Sequence, residues 1–166
     1  AAHTNLDAAT GGVSDVLAGL LGLENVGPLG PEHAYGRVGD LRQSVRFDRF
    51  AALVKDTLAV AGIRAGGDRN REVRRVAVCG GGGAEFWPQA RDAGADVLVT
   101  GDVKYHLARD MLVAGLNFID AGHYATERVI LEPLRGYLER RCREAGIGVE
   151  FLVSRRHQEP FDYLTG

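Results

Sequence analysis

Three histidines in this 166-residue chain stand four positions from a carboxylate: His3 with Asp7, His106 with Asp102, and His123 with Glu127. On a helix that offset puts both side chains on one face. Imidazole beside carboxylate suits zinc, iron, manganese or nickel, and a carboxylate can bridge two ions. The same pair can move protons near neutral pH. A single pair at this spacing is more often a surface hydrogen bond. Three of them at the ends of predicted elements point to a site. The other histidines, His33 and His157, fall in loops or near strand ends and are expected to be solvent-exposed.

A second feature is the run Gly80–Gly83 directly after an apolar stretch. Open amides at a helix start attract anions, so one reading is an anion- or substrate-contacting loop. The other is a tight turn that needs positive φ. No Gly-Lys-Ser/Thr follows, and Glu85 or Phe86 stands where a dinucleotide fingerprint needs its last glycine. Ser14, Ser44 and Ser154 lack a glycine elbow, which leaves a serine hydrolase little support. The basic runs at 71–75 and 140–143 have no interleaved aromatics and read as solvated faces, not a nucleic-acid surface.

The elements that must position these groups follow from periodicity. Residues 13–22 and 47–61 carry apolar side chains at helical spacing. Residues 24–45, with Gly27-Pro28 and Gly30-Pro31, read as mostly loop, with a short extended piece near 35–41. From Val73 the pattern becomes regular. Strands are predicted at 76–79, 96–100, 116–120 and 147–153, and helices at 84–93, 104–114 and 126–145, the last bent at Pro133. Alternation over 73–153 predicts an α/β fold with a mostly parallel sheet and helices on both faces. In such sheets ligands sit beyond the carboxyl ends of the strands. Thr100-Gly101-Asp102 and Asp120-Ala121-Gly122-His123 close two of them.

Composition is that of an ordinary globular domain, 45% hydrophobic and 25% charged, so disorder, collagen and coiled coil fit poorly. A net charge of −2 calls for no polyanionic partner. No apolar run is long enough to span a membrane. Cys79 and Cys142 are too few for a disulfide framework, and both are expected to face the core. With no signal peptide, the expected compartment is the cytoplasm. The chain opens without methionine on residues that read as fold interior, and it is expected to lack an N-terminal segment. Residues 1–166 are then a single, N-terminally incomplete domain.

Four stretches in order carry a resemblance: Ala2-His3-Thr4-Asn5-Leu6-Asp7-Ala8 with Gly11-Gly12-Val13-Ser14-Asp15; Val76-Ala77-Val78-Cys79-Gly80-Gly81; Thr100-Gly101-Asp102-Val103-Lys104-Tyr105-His106; and Asp120-Ala121-Gly122-His123-Tyr124-Ala125-Thr126-Glu127. Together they resemble the Nif-three-like dinuclear metal-centre family, also labelled GTP cyclohydrolase I type 2 homologues. Glu159-Pro160-Phe161 is similar to that family's closing Asp-Pro-Phe, with Glu in place of Asp. The resemblance implies two α/β lobes, two divalent metal ions between them, and a homohexameric ring. Carried over by position, Asp7, His123 and Glu127 are metal ligands, with Glu127 able to bridge both ions. His3, Asp102, Tyr105 and His106 fall in motifs that line the same cavity and receive supporting or substrate-facing catalytic roles. The family's upstream His-His pair is not in this chain, and 41–47 leaves no room for the domain inserted in some members.

The activity implied is hydrolysis of cyclohydrolase type on a nucleotide or related heterocycle, with His106 or His3 shuttling protons. Two rival readings draw on the same residues. A non-catalytic, metal-binding or regulatory ring uses the same ligands. A plain nucleotide-binding domain uses Gly80–Gly83.

Overall fold

The computed structural model describes residues 3–30 and 35–164. His33 lies outside them. Helices α1 (Thr4–Ala8) and α2 (Val13–Leu20) open the chain, followed by strands β1 (Leu23–Pro28) and β2 (Arg37–Arg46). Helix α3 (Phe47–Thr57) leads to β3 (Arg64–Gly66) and β4 (Glu72–Val78). Then come α4 (Trp87–Asp92), β5 (Val97–Thr100), α5 (Tyr105–Val113), β6 (Asn117–Asp120), α6 (His123–Glu127) and α7 (Leu131–Glu144).

The six strands form one sheet in the order β1-β2-β4-β5-β6-β3. The α/β class is as expected, but the sheet is mixed and mostly antiparallel, not mostly parallel. Only β4–β5 and β5–β6 are parallel, while β1–β2, β2–β4 and β3–β6 run antiparallel. The parallel part is the region where helices cross between strands, as parallel pairing requires. The expected loop at 24–45 contains β1 and most of β2 instead. Its punctuation fits a sheet margin: Pro28 ends an edge strand, where a missing N–H costs nothing. Gly39 lets the two strands approach, since a Cβ there would come within 2.9 Å of the Glu24 carbonyl oxygen.

Helices cover both faces, because alternate residues of the central strands point opposite ways. Val76, Val78, Val97, Val99 and Ile119 pack with Leu17 of α2 and with Phe50 and Val54 of α3. Ala77, Leu98 and Phe118 pack on the other side with Ala90 of α4 and Met111 of α5. Strands β5 and β6 are buried along their whole length.

The C-terminal part departs from expectation twice. The helix expected over 126–145 is interrupted: a 3₁₀ turn at Arg128–Ile130 separates α6 from α7. Pro133 accounts for this, since it has no N–H for the Val129 carbonyl and suits the first turn of a new helix. Residues 147–153 form no strand. Their apolar residues Ile147, Val149 and Leu152 are exposed, and a strand exists only where an edge pairs with it. Helix α7 buries no residue fully, and Cys142 on it is half-exposed. The chain therefore exposes 10,095 Å², against ~8,000 Å² for a compact chain of this mass. Among the described residues no helix is long and apolar enough to cross a membrane.

Candidate functional site

The carboxyl ends of β4, β5 and β6 converge on one rim, and the loops leaving them build the site. The glycine run after β4 is held internally. Gly81 N–H donates to Thr126 Oγ1 (2.9 Å), Gly83 N–H to Thr100 Oγ1 (2.9 Å), and Gly80 N–H reaches Ser14 Oγ (3.4 Å). The Gly81 carbonyl accepts from Thr100 Oγ1 (3.0 Å) and Gly101 N–H (2.7 Å). Three of the four amides that would cradle an anion are thus spent inside the protein, and the tight-turn reading is the supported one. Gly81 has φ +66°, and a Cβ on it would overlap the Glu127 carboxylate. The turn lets that carboxylate lie against backbone.

After β5, Asp102 takes a left-handed conformation (φ +54°), which Asp tolerates better than most residues. Helix α5 begins only at Tyr105, so Asp102 and His106 do not share a helical face. Asp102 turns instead to the next loop. Its Oδ2 lies 2.7 Å from Nδ1 of His123, the first residue of α6. On the other side of the ring, Nε2 lies 3.1 Å from Glu127 Oε1. The imidazole is therefore held between two carboxylates. Burial alone would lower the His123 pKa. The hydrogen bond to Asp102, with the charges of Glu127 and Asp102, outweighs it and raises the pKa above the ordinary imidazole value.

Asp120, at the end of β6, is the group that fixes both loops. It is only 4% exposed. Its Oδ2 accepts from Val103 N–H (2.9 Å) and from the Arg64 guanidinium, and its Oδ1 from Gly122 N–H (3.1 Å). The sequence signal is an acid closing a fully buried strand, yet spacing arguments do not select it. Spacing does not select Thr100 or Thr126 either, both of them buried.

Asp7, on α1, lines a cavity of about 570 Å³ together with His3 and Glu127. Its charge and that of Glu127 both act on the Cys79 thiol, which burial first and these carboxylates second push up to about 12. That thiol stays protonated and inert near neutral pH. The link between α1 and α2 is tied down through Arg37, whose Nε and Nη2 grip Asp15 of α2 at 2.5 and 3.0 Å and whose Nη2 reaches the Ala9 carbonyl (3.5 Å), while Asp15 accepts the Gly11 N–H (2.8 Å). His123 and Glu127 also line a second cavity of about 670 Å³ with Asp102. The structure thus brings His3 and Asp7 to one side of Glu127, and Asp102 and His123 to the other. Tyr105 (79% exposed) and His106 stand exposed on α5 and line neither cavity. His157 is exposed as expected, with its carbonyl accepting from the Tyr124 hydroxyl (2.7 Å).

Imidazole and carboxylates fit a divalent ion in kind. Among the described residues, no three His, Cys, Asp or Glu side chains are grouped so that they could hold one.

The profile of the Duf34/NIF3 (NGG1p interacting factor 3) family matches residues 1–160. A GTP cyclohydrolase 1 type 2 homolog of Clostridium perfringens is 33% identical over 168 residues, covering 98% of this chain and 63% of the relative. The Bacillus subtilis protein of the same name is 41% identical over 133 residues, covering 80% of this chain and 35% of the relative. The chain therefore spans less than two thirds of either relative. Among solved structures, a Bacillus cereus protein related to NIF3 superposes with a TM-score of 0.93 at 26% identity, covering 98% of this chain and 72% of that one. A Staphylococcus aureus hypothetical protein gives a TM-score of 0.90 at 28% identity, covering 98% and 67%.

Proposed function

The chain belongs to the DUF34/NIF3 family, and from that premise we propose a divalent-metal-dependent hydrolase with cyclohydrolase-like chemistry on a nucleotide or related heterocycle. The observation that carries this reading is the His123 ring clasped by Asp102 and Glu127 at the strand ends, with Asp7 lining the cavity on the far side of Glu127. Asp7, His123 and Glu127 are the proposed metal ligands, for two ions of zinc, iron, manganese or nickel; no single ion is proposed to take all three, in keeping with the grouping of the described residues. Such ions, when bound, polarise a substrate and lower the pKa of bound water to about 7.

The chain's own residues do the rest. Asp102 holds Nδ1 of His123 and so fixes the ring's orientation, the role a carboxylate plays behind a ligating histidine. Gly81 leaves room for the Glu127 carboxylate. His3, beside Asp7 and Glu127, is the proposed proton carrier. Tyr105 and His106 line neither cavity, and the proposed scheme gives them no part. A homo-oligomeric state, a hexamer in the proposal, has support from the exposed apolar side chains Tyr137, Ile147, Val149 and Leu152 along one end of the chain.

The test is formate release from GTP by the metal-loaded protein, beside a Glu127→Ala control. Turnover lost in the control is the expected result. No turnover above the control removes the cyclohydrolase assignment.

A further inference from the structure

Glu159-Pro160-Phe161 has no part in the scheme above, yet it lies across the cavity that scheme uses. The segment 157–163 contains neither helix nor strand, but it is anchored at both ends. At one end the Tyr124 hydroxyl, from the residue beside His123, donates to the His157 carbonyl (2.7 Å). At the other, the Tyr163 ring lies on Gly62, where a Cβ would come within 2.8 Å of the ring. In between, Glu159 accepts the Phe161 N–H (3.3 Å) and closes a local turn, and Pro160 fixes the backbone inside it.

Phe161 lines the same 670 Å³ cavity as Asp102, His123 and Glu127. It remains 75% exposed. A phenyl ring in an anchored turn, unburied and lining the same cavity as a polar cluster, offers a flat apolar surface beside hydrogen-bonding groups. Small-molecule sites have this composition, and their volumes run from about 300 to 1,000 Å³. The carboxylates of Asp102, Glu127, Glu159 and Asp162 on the walls disfavour a phosphate deep inside. Among the described residues Arg64 alone brings a guanidinium to the wall, and it is already paired with Asp120.

We infer that Glu159-Pro160-Phe161 is the recognition wall of this cavity, and that Phe161 stacks on the planar heteroaromatic ring of the substrate. The ring enters and any phosphate stays at the mouth. This assignment rests on the nucleotide or heterocycle reading above and specifies how that substrate is held.

The test is equilibrium dialysis of the Mn²⁺-loaded protein with guanosine, GTP and ribose 5-phosphate, for wild type, Phe161→Ala and Phe161→Trp. Loss of one base–aromatic stack predicts guanosine and GTP binding weakened about 10-fold or more in Phe161→Ala. Phe161→Trp restores it, and ribose 5-phosphate is indifferent to both changes. The exposure of Phe161 predicts an unchanged thermal midpoint, which separates recognition from folding. Unchanged guanosine affinity in Phe161→Ala overturns the inference, as does equal weakening of ribose 5-phosphate. Absence of guanosine and GTP binding in wild type overturns it too. The formate assay judges the hydrolase separately: GTP turnover with an unchanged KM in Phe161→Ala removes the stacking role and leaves the activity standing.

Discussion

Replacing Asp120 by alanine tests whether two loop amides, not an ion pair, hold the site together. The carboxylate is buried and accepts from Val103 N–H at 2.9 Å and Gly122 N–H at 3.1 Å. Alanine leaves both donors without a partner. A buried unsatisfied donor costs about 1–3 kcal/mol; with Val103 fully buried and Gly122 partly so, the sum is about 2–4 kcal/mol. For a domain of this size that lowers Tm by roughly 4–16 °C. The Arg64 guanidinium is 67% exposed, so on losing Asp120 it returns to water. Arg64→Ala also removes a hydrogen bond to the Val103 carbonyl (3.2 Å), but it leaves the buried Asp120 carboxylate its two amide donors, so it should cost clearly less than Asp120→Ala. Urea denaturation of both variants, with m-values compared, gives the two numbers. The loops that Asp120 fixes carry Asp102 and His123, so the alanine variant should also lose their contact. An NMR titration of His123 reads that loss as a fall in its pKa. Equal destabilisation by Arg64→Ala and Asp120→Ala refutes the reasoning, since the ion pair would then carry the energy.

Two further outcomes follow from the same geometry. Asp102→Asn should lower the His123 pKa, because Asn keeps a hydrogen-bonding group and tolerates the left-handed backbone but removes the charge. With its folded pKa raised, wild-type His123 contributes stability that is full below the ordinary imidazole value and fades as pH rises through the folded value. The Asn variant should lose the part of that acid-side contribution that Asp102 supplies, Glu127 keeping the rest, and superimposable titration curves for the two proteins would contradict the account. Gly81→Ala should cost about 1–2 kcal/mol from the left-handed backbone alone, and its Cβ should also drive the Glu127 carboxylate off His123. Gly115→Ala is the control, with φ +73° and nothing within 4 Å of its would-be Cβ: comparable destabilisation is expected there, with His123 titrating as in wild type. Equal effects of both alanines on His123 would show that Gly81 has no special relation to the site.

The parts of the fold that could be read from residues are those where burial alone dictates the pattern. Strands β5 and β6 and the apolar half of β4 are buried runs enclosed by helices on both faces, so they and their crossover helices follow from composition; the charged half of β4, Glu72–Arg75, lies outside the expected 76–79 because it exists through pairing with β2. Strand β3 does not, because Arg64-Ala65-Gly66 is a three-residue margin whose existence depends on pairing with β6. The same holds in reverse for 147–153, where alternation suggests a strand but no edge pairs with it. Strand direction is equally invisible to periodicity. It was set by the connections, and the glycines and prolines of 24–45 concealed two antiparallel strands.

The site obeys the same division. His123 and Glu127 share a short helix, so their four-residue offset became a contact. Asp102 and His106 have the same offset, but the left-handed backbone at Asp102 delays the helix to Tyr105 and turns the carboxylate towards His123 instead. Offset is informative only when the backbone between the two residues is helical, and one residue with positive φ suffices to void it. The glycine run makes a parallel point about amides. Whether Gly80–Gly83 can receive an anion depends on what its N–H groups already meet, and Thr100, Thr126 and Ser14 meet three of them from positions as far as 66 residues upstream and 45 residues downstream. The rigidity so gained serves the Glu127 carboxylate resting on Gly81. The loop that looks like a phosphate cradle in the sequence thus works, in the folded chain, as the floor under the proposed metal ligand.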